Sequence, residues 1–294
     1  ASLLLVVASV FGDEAAARRF GIATLAVGLL DQWQVLQRED LATLLTLILS
    51  VLAAVCLVPI GRWVLANPKI LSAETDQPRR KIRGWQGAAF LVGCLALSLP
   101  GFFVPFGVCL AWMVERFHRV DLSSLFEDMM SSSFTSFSTT LIVCLLTLVF
   151  VALVQPGSKA RRLEGLVWLP ALSYLIPSLV FALVWLRLGS VFGWSGSSRW
   201  MIIGAICVKF FPLALLPALA ALATLPDELI DSARTLGESR LGAFLRIVLP
   251  AVMPALTTGG MIVLVESFNE LTLSQLLQPF GYRSLSLRIG ALAS

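Results

Sequence analysis

Two sets of residues in this chain have types and spacings that could do work. The first is Asp231-Ser232-Ala233, followed by Gly237 and then Ile247-Val248-Leu249-Pro250. The second is Lys209, Glu266, Asn269 and Glu270, polar side chains in or at the edges of apolar runs. Neither is a catalytic constellation. No convincing Ser/Lys, Asp/Asp or histidine–metal set accompanies them, and His118 is the one histidine, so a histidine-rich metal site is excluded. The first set reads as a mechanical element. It makes a short helix, a glycine turn and a second helix on a membrane surface, where a soluble protein can dock and drive the chain. The second set reads in two ways. A charge at membrane depth costs about 2.5–3.5 kcal/mol on insertion scales and usually faces a cavity or a partner. Glu266 and Glu270 are four residues apart and so share a helix face, where carboxylates could line a pore for a cation. Alternatively these groups snorkel to an interface, or Lys209 pairs with a glutamate as a structural bridge.

Local signals shape the segment from Thr224 to Pro254. Thr224 can cap a helix, Pro226 suits its first turn, and Asp227 and Glu228 favour the positive end of the helix dipole. Leu229, Ala233 and Leu236 fall near one face, with Ala233 as a small crest that lets another surface approach. Gly237 suits the left-handed conformation that ends a helix. Ser239 or Glu238 then starts a second helix whose apolar side is Leu241, Phe244, Leu245 and Val248. Leu249-Pro250 ends it, and Pro254 opens the next span.

These residues must be positioned by membrane spans. The chain is 57% hydrophobic and 14% charged, with mean hydropathy +0.87, more apolar surface than a soluble domain can hide. Lipid offers backbone groups no partner, and continuous apolar runs near the ~20-residue spanning length read as helices. Spans are expected at about 1–11, 41–61, 87–113, 134–154, 166–187, 200–222 and 252–271. Trp63, Trp85, Trp112, Trp168, Trp185 and Trp200 lie near their edges, where amphipathic rings favour the headgroup layer. Pro100, Pro105, Pro170 and Pro177 interrupt spans as kinks, and Ser136, Ser138, Thr139 and Thr140 permit close helix approach. Cys56, Cys94, Cys109, Cys144 and Cys207 all sit in apolar runs without metal-ligand spacing and read as small buried hydrophobes.

The net charge of +4 does not point to nucleic acid, because the basic residues cluster between spans. Lys69, Arg79, Arg80, Lys81 and Arg83 fall in one connection, Lys159, Arg161 and Arg162 in a second, and Arg234, Arg240 and Arg246 in the patterned segment. Alternation puts all three on one side, which the positive-inside rule makes cytoplasmic. Phe20-Gly21-Ile22-Ala23-Thr24-Leu25-Ala26 is echoed by Phe280-Gly281-Tyr282-Arg283-Ser284-Leu285-Ser286, each after an apolar span. Two tandem halves are expected: residues 1–61 end a first repeat, 62–86 are a cytoplasmic linker, and 87–294 form a second repeat that lacks one last span.

The segment at 224–250 resembles the EAA loop of ABC-transporter permeases. That pattern is Glu-Ala-Ala, three residues, Gly, nine residues, Ile, one residue, Leu-Pro. Asp231, Ser232, Ala233, Gly237, Ile247, Leu249 and Pro250 meet every spacing, with Asp231 standing for Glu and Ser232 for the first Ala. The flanking Leu225-Pro226-Asp227-Glu228-Leu229 and Phe244-Leu245-Arg246 are similar to importer permeases of MetI-like fold. Glu270-Leu271-Thr272 and Leu277-Gln278-Pro279-Phe280-Gly281 look like the fused ferric-iron permease group, with thiamine permeases of similar plan as rivals.

The resemblance implies an all-α, polytopic transmembrane bundle with a cytoplasmic helix-turn-helix coupling loop, in a bacterial inner membrane. It implies a cytoplasmic ABC ATPase dimer, a periplasmic solute-binding protein, and a first permease half or second copy as partners within the bilayer. ATP and Mg would sit on the ATPase, since these residues contain no Gly-x-x-x-x-Gly-Lys-Ser/Thr loop; this chain would bind no cofactor and catalyse no reaction. An ion-coupled secondary transporter would share the repeats and buried charges but would not need the loop spacing.

Overall fold

The computed structural model describes residues 85–116, 121–154, 178–191, 198–279 and 281–293 continuously, and isolated positions elsewhere. Every element among them is helical: α1 (Trp85–Arg116), α2 (Leu122–Val154), α3 (Ser178–Val191), α4 (Arg199–Ala223), α5 (Asp227–Thr235), α6 (Arg240–Ala243), a π-helical turn (Phe244–Val248), α7 (Leu249–Asn269), α8 (Thr272–Leu277) and α9 (Leu285–Ala293). Ala89–Glu115, α2, α4 and the run Arg240–Asn269 are each long and apolar enough to cross a membrane. The fold is an all-α polytopic bundle, as the continuous apolar runs require. The expected spans at 1–11 and 41–61, the echo at 20–26, the linker up to 84 and the connection at 155–165 lie outside the described residues, apart from helical positions such as Leu41, Leu44, Ile48 and Val51. Of the span expected at 166–187, the continuous described part begins at Ser178.

The chain divides into two compact units, residues 73–127 and residues 1–72 with 128–294. The first holds α1, whose described side chains, Phe90, Phe102, Phe103 and Phe106 among them, are nearly all exposed. A helix that is apolar all round needs lipid or other helices about it. Pro100 and Pro105 lie inside α1 without ending it.

The second unit is built on α2, α4 and α7. The sequence reading started α2 near 134 and made 115–133 a loop; the helix in fact begins at Leu122. Asp121 caps it, taking the Ser123 N–H at 3.1 Å and the Ser123 hydroxyl at 2.7 Å on one carboxylate oxygen. The polar residues of the helix face inward. Asp128, Ser132, Thr135, Ser136, Thr139 and Thr147 are buried, while Phe126, Met129, Phe134, Phe137 and Leu141 are exposed. This inversion suits a helix whose outer surroundings are hydrocarbon.

α4 and α7 form the central pair. Ile202, Ile203, Ile206, Phe210, Leu213 and Ala214 of α4 share a buried cluster with Val263 of α7 and Val143 of α2. Lipid tails are as apolar as these side chains, so their burial stabilises the pair through close packing rather than release from water. Glycine sets the approach. A Cβ on Gly259 would lie 2.7 Å from the Ala214 Cα and 3.0 Å from the Leu213 carbonyl oxygen. On the neighbouring face, a Cβ on Gly260 would lie 3.0 Å from Cys144 Sγ of α2.

Candidate functional site: a polar turn and a broken helix

The polar segment at 224–250 folds as a helix, a turn and a helix, with several local corrections. Thr224 does not start α5. It closes α4, its hydroxyl donating to the Ala221 carbonyl at 2.7 Å. α5 then runs from Asp227 to Thr235, after Pro226. Ser232 donates its hydroxyl to the Glu228 carbonyl at 2.6 Å, and Ala233 is half-buried. The helix ends in a Schellman turn: Gly237 has φ +90°, and the Glu238 N–H reaches the Ala233 carbonyl at 3.1 Å. Ser239, rather than Glu238, caps α6, accepting the Gly242 N–H at 3.0 Å. Glu238 forms an ion pair with Arg246 instead.

The second arm differs more. Leu249-Pro250 was expected to end a helix, but the chain continues as one helical run from Arg240 to Asn269. The reason lies in the backbone. Proline has no N–H to donate, so an ordinary α-turn over Pro250 would orphan a carbonyl. The turn at Phe244–Val248 widens to π geometry, and the Leu249 N–H bonds to the Phe244 carbonyl, five residues back. Pro250 then occupies the first turn of α7. The expected apolar side also divides. Phe244 and Val248 are buried against Val151, Ala218, Leu222 and Val252. Leu241 and Leu245 face outward, with Leu229 and the 86% exposed Leu236. The turn therefore presents leucines on a polar framework whose inner side is anchored to α2 and α4.

The second candidate set lies along α4 and α7. Lys209 and Glu270 are both buried and meet at 3.2 Å between Nζ and Oε2. Ser178 of α3 donates to the same Oε2 at 3.3 Å and also contacts the Lys209 ammonium. Glu270 Oε1 accepts the Leu273 N–H at 3.2 Å, capping α8, and the Glu270 carbonyl accepts the Ser274 hydroxyl at 2.9 Å. The shared helix face expected for Glu266 and Glu270 does not form, because Glu270 leaves α7 with extended backbone at φ −72° and ψ 100°. Glu266 remains on α7, half-buried, and Asn269 is exposed. Lys209 thus meets a glutamate, the pairing that one of the readings of these charges contained. Ser178 was not among the sequence candidates; a serine in an apolar run carries no signal of its partner.

Further along, the chain returns to α2. Tyr282 and Thr135 share a hydrogen bond at 3.1 Å, and the Leu285 N–H reaches Ser132 Oγ at 2.8 Å. Arg288 of α9 pairs with buried Asp128 at 2.9 Å. The Arg199 guanidinium stands 5.4 Å and 5.7 Å from the ring centres of Phe134 and Tyr282. Sequence alone did not reveal these contacts, since Asp128 and Arg288 are 160 positions apart.

Comparison with known proteins places both sites within one stretch. Residues 166–292 match the family model for the inner membrane component of binding-protein-dependent transport systems. The spermidine/putrescine transport system permease protein PotB of Escherichia coli (strain K12) is 30% identical over 77 residues, covering 26% of this chain and 28% of that protein. PotB of Haemophilus influenzae is 31% identical over 77 residues, covering 26% and 27%. PotB of Salmonella typhimurium (strain LT2) is 29% identical over 77 residues, covering 26% of each. The matched stretch thus spans little more than a quarter of the length of these relatives. They are transport permeases rather than enzymes, and over residues 166–292 this chain is similar to inner membrane components of binding-protein-dependent transport systems.

Proposed function

We propose that this chain is the membrane-spanning permease of an ATP-driven, binding-protein-dependent importer. One observation carries the reading. The second arm of the polar helix–turn–helix that meets the EAA spacing runs unbroken from Arg240, through the π-turn, into the membrane-spanning α7. A push on the turn therefore reaches the bundle without crossing a flexible loop. In this reading Asp231, Ser232, Ala233, Gly237, Ile247, Leu249 and Pro250 form the coupling element on the cytoplasmic side. The exposed leucines around the turn give a partner ATPase its apolar contact, and ATP is held and hydrolysed there. A periplasmic binding protein delivers solute to the opposite end, and a first permease half or a second copy completes the pore.

The solute is a small one, and the two lines of support name different cations. The phrases Glu270-Leu271-Thr272 and Leu277-Gln278-Pro279-Phe280-Gly281 favour ferric iron. The relatives' names favour a polyamine, and the general plan also suits thiamine. The test is uptake of labelled ferric iron, spermidine and thiamine by cells lacking the parent gene, with and without its restoration. Uptake of one of them that returns only with the gene, and stops when ATP is depleted, supports the reading and names the solute. Uptake that survives ATP depletion and collapses with a protonophore would establish an ion-coupled transporter instead. Gly237→Pro or Ala233→Arg should abolish ATP-dependent uptake while the protein still inserts; full transport by both would overturn the coupling role.

A further inference from the structure

α7 does not run the full length of its neighbour. The two helices cross at Gly259 and Ala214. At 1.5 Å per residue, α4 extends about 22 Å from Ala214 back to Arg199, whereas α7 extends about 15 Å from Gly259 on to Asn269. Past the crossing, α7 is therefore the shorter arm by about 7 Å. Where backbone leaves a helix among apolar neighbours, its freed polar groups need partners within the protein. Glu270 supplies them. Its Oε1 caps α8 through the Leu273 N–H, its carbonyl takes the Ser274 hydroxyl, and its Oε2 meets Lys209 of α4 and Ser178 of α3. One carboxylate thus stands where α3, α4, α7 and α8 converge. Leu273 and Leu277 of α8 are fully buried in the same cluster as Ile202, Ile203 and Ile206. Beyond α8, Tyr282 and Leu285 bond to Thr135 and Ser132 of α2.

We propose that Glu270 and Lys209 form a positioning pair that ties movement of the helix–turn–helix to the segment 281–284 beyond α8. The inference rests on the permease reading above. A displacement of the turn enters α7 through the π-turn and travels past the Gly259–Ala214 crossing. At Asn269 the helix ends, and Glu270, beside the packing of Leu273 and Leu277 on α4, passes the displacement on by holding α8 to α7 and both to α4. Without the pair, α7 and α8 are joined by a two-residue link at Glu270-Leu271 and by apolar packing alone, which fixes their relative position less tightly.

The test uses the full parent protein assembled with its ATPase partner in proteoliposomes. A cysteine introduced at exposed Arg283 (Arg283→Cys) reports on the far segment. Its labelling by a membrane-impermeant maleimide is read by mass spectrometry at that position, with and without ATP. A single substitution would leave a buried charge unpaired and disturb folding, so the informative variant is Lys209→Met with Glu270→Gln. This keeps an oxygen acceptor for the Leu273 N–H and buries no charge. The expected result is a clear ATP-dependent change of labelling in the parent, reduced roughly tenfold in the double variant, while ATP hydrolysis continues. Ser178→Ala, which removes one strut and no charge, should give an intermediate response; it serves as the test if the double variant fails to assemble. An unchanged ATP response in the double variant, or in Ser178→Ala if that alone assembles, overturns the positioning role and leaves the permease reading standing. A parent whose labelling ignores ATP overturns both.

Discussion

At the scale of single residues, three positions show how much rests on side-chain size and charge. Gly237 has φ +90°, and a Cβ there would meet nothing within 4 Å. A substitution therefore costs only backbone strain, about 1–2 kcal/mol for an L-residue held left-handed. Gly237→Ala should lower the thermal midpoint of the purified protein slightly and Gly237→Asn less, since asparagine tolerates this region; equal shifts would contradict the turn geometry. Gly259 is the opposite case. Its φ is ordinary but backbone atoms of α4 fill the space a Cβ would need. Gly259→Leu should force α4 and α7 apart and cost about 1–3 kcal/mol or more, measured as loss of thermal stability in detergent. Asp121 is exposed, and the Ser123 hydroxyl and N–H, with Ser124, hold its carboxyl below the usual value of 3.8. A lowered folded-state pKa gives stability that is present above the unfolded value and lost as pH falls through the folded one. Fraying of the first turn of α2 by acid should therefore begin only below about pH 3.8. Asp121→Ala should fray it at neutral pH, visible as faster amide exchange at Ser123 to Leu125.

Elements show a different balance between pattern and tertiary context. The apolar runs at 200–222 and 252–271 anticipated α4 and α7 to within a few residues, because lipid leaves a long apolar segment little choice but helix. The start of α2 was hidden, because its first turns carry Ser, Thr and Asp on the inward face. Polar residues mark a loop in water and an interior in lipid, and the sequence does not say which medium each residue faces. Leu249-Pro250 misled for a related reason. Proline need not end a helix where the turn before it can widen, and here Phe244–Val248 takes π geometry and the helix carries on into α7. Pro250→Ala restores an N–H and should let the turn relax to ordinary α geometry, rotating α5 and α6 relative to α7. The expected outcome is unchanged or higher thermal stability with reduced ATP-driven uptake. Unimpaired uptake would show that the π-turn has no part in coupling.

For the molecule as a whole, the sequence motif located the turn, but the contacts that hold the far segment were out of reach. Glycine at 237 and the spacing to Leu249-Pro250 are local, so a single chain suffices to read them. Asp128 with Arg288, Thr135 with Tyr282, and Ser178 with Glu270 join residues far apart in the chain, and no local pattern distinguishes them from other polar residues. Breaking the first of these should be costly. Arg288→Ala leaves a buried carboxylate without its cation, so Arg288→Ala with Asp128→Asn should melt higher than Arg288→Ala alone; the reverse order would argue against a stabilising pair. The Lys209–Glu270 bridge also bears on how the protein is made. The partners are 61 residues apart, and ribosomes add about 5–20 residues per second, so lysine awaits glutamate for about 3–12 s. During that interval α4 carries an uncompensated ammonium that hydrocarbon rejects. The insertion machinery must then shelter α4 until Glu270 emerges. Stalled nascent chains ending before residue 270 should crosslink through α4 to the translocon, and longer ones should release it into lipid.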